Sequence, residues 1–199
     1  MSARAAAGRR PVVFLDKDGT VVDNVPYNVD PALIRLSRGA DSGLRRLQDA
    51  GYRLAVVSNQ AGVARDVFPE DALDGVTRRL RVLLASFGVE LSEVFYCPHD
   101  PDGAVERYRV ACDCRKPAPG LLLRGAERLG ADLARSWMVG DLLDDVEAGR
   151  RAGCATVLVD SGGETQWRAG EHRRPHYRAR DLAEAADIIL AHDRRASTR

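Results

Sequence analysis

The sequence predicts an α/β fold, a central parallel sheet with helices on both faces. Short apolar runs rich in β-branched residues alternate with amphipathic stretches along most of the chain. Each run is separated from the next by a helix-length segment, as parallel strands with crossover connections require. Asp16, Ser58 and Asp141 each stand where an apolar run gives way to polar residues. In such a fold these are the carboxyl ends of strands, where ligands bind.

The first run, PVVFLD, is stopped by charge and Gly19 and reads as a buried strand ending at Asp16. GADSGLRRLQDAG follows, with Leu44 and Leu47 on one face and a glycine stop at Gly51, a helix. YRLAVVSNQ is the second strand. From Pro69 to Phe87 the spacing of Leu73, Val76, Leu80, Leu83 and Leu84 keeps a 3.6-residue period, and VFYC then forms a short strand. Beyond a cysteine-rich loop come a helix near 120–129, the strand SWMVGD, a helix near 143–152, the strand ATVLVD and a last helix near 182–191. DSGGETQWRAGEHRRPH reads as a long polar loop.

The 199 residues fit one domain over 11–192, with flexible tails at 1–10 and 193–199. Hydrophobic residues make up 45% and charged residues 30%, and no apolar run is long enough to span a membrane. The formal charge of +1 lacks the cationic excess that nucleic-acid binding needs. The start, MSARAAAGRR, has no apolar stretch of the kind found in a secretory signal. The expectation is a cytoplasmic monomer with neither nucleic acid nor membrane as partner.

Asp16 and Asp18, followed by Gly19 and Thr20, suit phosphoryl transfer in which one carboxylate attacks phosphorus and the other handles the leaving-group proton. An Asp-Gly pair after a strand is also a common turn; the further polar strand ends weigh against that simpler reading. A carboxylate approaching a phosphate needs its charge offset, and Mg²⁺, with its preference for hard oxygen ligands, would do so with Asp141 as a further ligand. Lys116 can offset charge on the transferring group, and Ser58 can bind its oxygens.

FLDKDGT, VVSNQAG, CRKPAPG and MVGDLLDD together resemble the four motifs of the haloacid dehalogenase (HAD) superfamily of phosphatases, in order and spacing, over about Val12 to Gly153. The resemblance implies a Rossmann-like fold without a large cap domain. It also implies Asp16 as nucleophile, Asp18 as general acid and then base, Ser58 and Lys116 as phosphoryl-binding groups, and Mg²⁺ on Asp16, Asp141 and the Asp18 backbone carbonyl. Asp145 would orient Lys116 or metal-bound water, with Asp144 an alternative second acid, and Asn59 and Gln60 are candidate substrate contacts. Leu142 stands where many relatives carry Lys, Ser or an acid.

Cys97-x-His99 and Cys112-x-Cys114 supply three sulfurs and a nitrogen, the donor set of a closed tetrahedral Zn²⁺ site. The expectation is a structural zinc loop over 97–114 that fixes Arg115 and Lys116, while Cys154 is packing. The zinc pattern followed by RKPAPG narrows the resemblance to the D,D-heptose 1,7-bisphosphate phosphatases. That implies a phosphorylated sugar substrate losing its 7-phosphate, with Arg115 on the distant anomeric phosphate and Tyr27 near the sugar. Histidinol-phosphate phosphatases, with a shorter insert, are the alternative, and a zinc-dependent binding module without activity is a third reading.

Overall fold

The structure is a computed structural model and describes residues 10–197; most of the expected N-terminal tail lies outside the described residues. Six strands, β1 (Val12–Leu15), β2 (Arg53–Asn59), β3 (Leu91–Cys97), β4 (Trp137–Gly140), β5 (Ala155–Val159) and β6 (Tyr177–Ala179), form one sheet in the order 3-2-1-4-5-6. Every ladder is parallel. The chain leaves β1 toward β2 on one side and later returns to β4 on the other, so the strand order reverses between β1 and β4. In an open parallel sheet this is the position of the ligand crevice.

Five helices cover the sheet: α1 (Ala40–Asp49), α2 (Ala72–Ala85), α3 (Gly120–Leu129), α4 (Leu143–Ala152) and α5 (Leu182–Ser197). The VVFL run is buried throughout because each face of β1 has its own helical layer. Val13 and Leu15 join Leu44 and Leu47 of α1, Leu80 and Leu84 of α2, and Ala185 and Ile189 of α5 in one core. Val12 and Phe14 point the other way, into a second core with Leu121, Leu122 and Ala126 of α3 and Ala148 of α4. Cys154 is buried in that second core, as packing. Each fully buried leucine contributes about 2 kcal/mol relative to exposure.

Residues 16–39, between β1 and α1, contain a single turn of 3-10 helix at Pro31–Leu33, so no cap domain is shown there. The polar loop between β5 and β6 is pinned to α4: Glu164 accepts from the Leu143 N–H (2.8 Å), and Arg173 pairs with Asp144 (2.7 Å) and Glu147 (2.8 Å). Two boundaries differ from expectation. β3 begins at Leu91, where the polar Ser92 and Glu93 mask it, and α5 runs past Ala191 to Ser197, so residues 193–197 are helical. Among the described residues no helix is long and apolar enough to cross a membrane.

Candidate active site

The register of β1 against β4 pairs Leu15 with Val139, and the Asp16 N–H continues the ladder to the Val139 carbonyl (2.9 Å). Asp16 and Asp141 therefore leave adjacent strands side by side at the switch point. After Asp16 the chain doubles back: the Val21 and Val22 N–H groups donate to the Lys17 carbonyl (3.0 Å each) and Gly19 N–H to the Val22 carbonyl (2.8 Å). Gly19 has φ +85°, and a Cβ there would lie 2.3 Å from Asp141 Oδ2. Only glycine permits both the left-handed turn and the approach of that carboxylate.

Carboxylate oxygens of Asp16, Asp141 and Asp145 lie within 4.8 Å of one another, all three buried. Asp145 reaches this point from the first turn of α4, where its carboxylate accepts from the Leu142 N–H (3.0 Å). Asp144, one residue earlier, faces Arg173 instead. Leu142 contributes its backbone N–H, and its side chain is partly exposed at the cavity edge. Lys116, 3% exposed, donates to Asp16, to Asp145 (2.6 Å) and to the Val57 carbonyl (2.9 Å).

One ammonium among three carboxylates leaves an excess of negative charge out of water. Burial, and then the charges of Asp16 and Asp145, push Asp141 up to about 7. Burial likewise raises Asp145, to about 6, against the pull of Lys116 and with the Asp16 charge adding. Burial opposes the charge on Lys116, but Asp145 and Asp16 outweigh it and hold Lys116 above its ordinary value. A carboxylate set left short of positive charge, with hard oxygen donors, fits a divalent cation such as Mg²⁺.

Asp18 lines the same cavity, two residues after Asp16. Its carboxylate accepts from Gln60 Nε2 (3.0 Å) and pairs with Lys17 (3.1 Å), and burial raises its pKa, Lys17 opposing and Asp16 adding. Gln60 also donates to Ser58 Oγ (2.8 Å), which ties the end of β2 to the acid pair. Asn59 spends both ends of its amide on the Lys116 backbone, donating to its carbonyl and accepting from its N–H (3.0 Å each). Thr20, not singled out from the sequence, donates to Asp141 (3.1 Å).

Asp16, Asp18, Ser58, Asn59, Gln60, Lys116, Asp141 and Asp145 line one cavity of about 370 Å³ that also takes in Tyr27 and Arg115. Sequence reasoning missed Arg65, which lines the same cavity and donates to Tyr27 Oη (2.6 Å). Its signal was faint: a lone arginine in a loop just after VVSNQAG.

The four expected zinc donors converge. Cys114 Sγ lies 2.9 Å from Cys97 Sγ, 3.2 Å from Cys112 Sγ and 3.3 Å from His99 Nδ1. The three cysteines are free thiols, with no disulfide. Burial and the neighbouring Cys114 sulfur push the Cys97 thiol up, whereas at Cys112 burial is outweighed by hydrogen bonds from Cys114 and the backbone, which hold the thiol below its ordinary value. The cluster could hold Zn²⁺ with every position filled by protein, the arrangement of a structural rather than catalytic site. Cys112→Ser should then lower bound zinc and the melting temperature, by about 5–10 °C for a loss of roughly 2–3 kcal/mol, with little change in magnesium requirement. Metal analysis beside a thermal melt checks this; parent-level zinc in the variant would contradict it.

Buried acids at the switch point of a parallel sheet, with one lysine among them, define a hydrolase of the HAD phosphatase class. Residues 113–185 match the HAD-hydrolase-like family model. The D-glycero-beta-D-manno-heptose-1,7-bisphosphate 7-phosphatase of Salmonella typhi is 40% identical over 153 residues, 76% of this chain and 81% of that protein. Among solved structures, a putative HAD-like phosphatase from Mesorhizobium loti superposes with TM-score 0.80 at 34% identity, covering 92% of this chain and 86% of that one. The D,D-heptose 1,7-bisphosphate phosphatase of B. bronchiseptica, complexed with magnesium and phosphate, gives 0.74 at 31%, covering 92% and 99%. The chain belongs to the D-glycero-beta-D-manno-heptose-1,7-bisphosphate 7-phosphatase family.

Proposed function

We propose that the chain is a Mg²⁺-dependent phosphatase that removes the 7-phosphate of D-glycero-D-manno-heptose 1,7-bisphosphate through an aspartyl-phosphate, on the way to nucleotide-activated heptose. The observation that carries this reading is the gathering of Asp16, Asp141 and Asp145, with Lys116 paired to Asp16 and Asp145. Asp16, Asp141 and the Asp18 backbone carbonyl would hold the cation. When bound it supplies the charge neutralisation that lets a carboxylate approach a phosphate dianion.

An Asp16 oxygen forms a bond to phosphorus as the bond from phosphorus to O7 of the sugar breaks, and Asp18 gives its proton to that oxygen. The raised pKa of Asp18 suits it to carry the proton. As a carboxylate, Asp18 then takes a proton from the water that attacks the phospho-enzyme, releasing phosphate and restoring Asp16. Lys116 and Ser58 hold the phosphoryl oxygens, and Asp145 keeps the Lys116 ammonium charged and aimed. Arg115 binds the distant phosphate.

Phosphate release from both anomers of the heptose bisphosphate, beside histidinol phosphate, tests the reading. Preference for a heptose anomer, the β form being the one in the relatives' names, supports it. Faster turnover of histidinol phosphate would replace the substrate, and no turnover of any ester would leave a zinc-dependent binding module.

Magnesium affinity should depend on pH. Asp141, at about 7, holds a proton that a cation bound to its carboxylate must displace. The Mg²⁺ dissociation constant should therefore fall as pH rises from about 5 to 7 and level off above. Calorimetric titration at several pH values reads this, and a flat profile would contradict it.

A further inference from the structure

The zinc loop carries a carboxylate that none of this chemistry uses. Asp100 follows His99 directly, and its side chain is 5% exposed. Its N–H donates to the Tyr108 carbonyl (3.1 Å) and its Oδ1 accepts from the Asp102 N–H (3.2 Å), so the loop's own fold fixes it. The remaining oxygen, Oδ2, accepts from Arg65 Nε (2.7 Å) and stands 3.9 Å from Arg115 Nη2. Arg115 is also tied to the loop through the His99 carbonyl (3.3 Å).

Two guanidinium groups would repel each other without a carboxylate between them. With Asp100 there, both can face one cavity and still leave a net positive charge. Arg65 and Arg115 each carry five N–H donors, and the side chains remain 46% and 30% exposed. Both line the same cavity as Asp16 and Ser58. Tyr27 Oη, at the same cavity, accepts from Arg65 Nη1 (2.6 Å).

We propose that Asp100 is a positioning residue of the substrate site: its carboxylate sets Arg65 beside Arg115 so that both guanidinium groups bind the phosphate at the far end of the sugar. This rests on the bisphosphate reading above. It adds Arg65 to the phosphate-binding groups and gives the zinc loop a part in specificity: by fixing Asp100, it fixes the pair.

The test compares heptose 1,7-bisphosphate with heptose 7-phosphate, which lacks the far phosphate, in the parent, Asp100→Asn and Arg65→Gln. In each variant the ratio of kcat/KM for the bisphosphate to that for the monophosphate should fall about tenfold, the scale of one charge-assisted hydrogen bond. The fall should lie in KM for the bisphosphate, with bound zinc per chain as in the parent. A merely structural role would lower both substrates together or release zinc, and either result overturns the proposal. An unchanged ratio in Asp100→Asn or Arg65→Gln, with a parent that prefers the bisphosphate, overturns it while leaving the functional reading intact. A parent that ignores the bisphosphate but hydrolyses another ester overturns both. Arg65 is largely on the surface, so its variant decides the arginine's part even if Asp100→Asn fails to fold.

Discussion

Asp16→Asn should cut phosphate release by about 10⁴-fold or more, the scale at which removing a nucleophile from a covalent mechanism acts. The fold should survive it, with a melting temperature equal to or above the parent's. Removing Asp16 takes one negative charge from a buried set in which its field helps to raise both Asp141 and Asp145. Lys116 keeps Asp145 as partner at 2.6 Å and the Val57 carbonyl at 2.9 Å, so no buried charge is stranded. Phosphate release and a thermal melt on the same preparation check both halves. Turnover near the parent's would exclude Asp16 as nucleophile; a collapsed fold would mean that its charge is structural.

Lys116→Met should damage activity and stability together. The variant leaves three carboxylates within 4.8 Å and out of water without their ammonium. Breaking a buried ion pair from one side costs about 3–5 kcal/mol, which for a chain of this size lowers the melting temperature by roughly 6–20 °C. The loss should depend on pH in a definite direction. Asp141 has a folded pKa of about 7, well above that of an unfolded aspartate, so between these values the folded state binds more protons than the unfolded. In magnesium-free buffer, stability therefore falls as pH rises through that window even in the parent. Without Lys116 the fall should be steeper, because Asp145 loses the charge that opposes its rise. Melts at a series of pH values read the slope. A variant as stable as the parent, or one more stable at the upper end of the window, would contradict this electrostatic picture.

Much of the site was legible because three of its polar groups sit at strand ends, where an apolar run breaks off at a polar residue. Asp16, Ser58 and Asp141 announce themselves in that way, and the parallel register brings the strand ends together without any knowledge of side-chain packing. The zinc cluster was legible for a different reason: sulfur and imidazole spaced one residue apart twice over have few other uses. The sequence favours Asp145 and leaves Asp144 as an alternative, and the structure separates them, since both lie in the first turn of α4 and Asp145 is the one turned toward Lys116.

What the sequence concealed depends on contacts between distant segments or on weak local signals. Arg65 and Asp100 are 35 residues apart, and neither belongs to a patterned motif. Strand β6 is three residues long with two of them exposed, so it has no apolar run to read. The extension of α5 past Ala191 follows from residues that favour helix on a surface, where polar composition looks the same as a tail. Asn59 looked like a substrate contact by position, yet its amide is matched in both directions to the Lys116 backbone.

The claim beneath all of this is that phosphorus is transferred twice, first to an Asp16 oxygen and then to water. The stereochemical course at phosphorus tests it most directly, using heptose bisphosphate whose 7-phosphoryl group is a chiral thiophosphate, hydrolysed in isotopically labelled water. Two in-line displacements give net retention of configuration, the result expected here. Inversion would mean that water attacks the substrate itself and that Asp16 never carries the phosphoryl group.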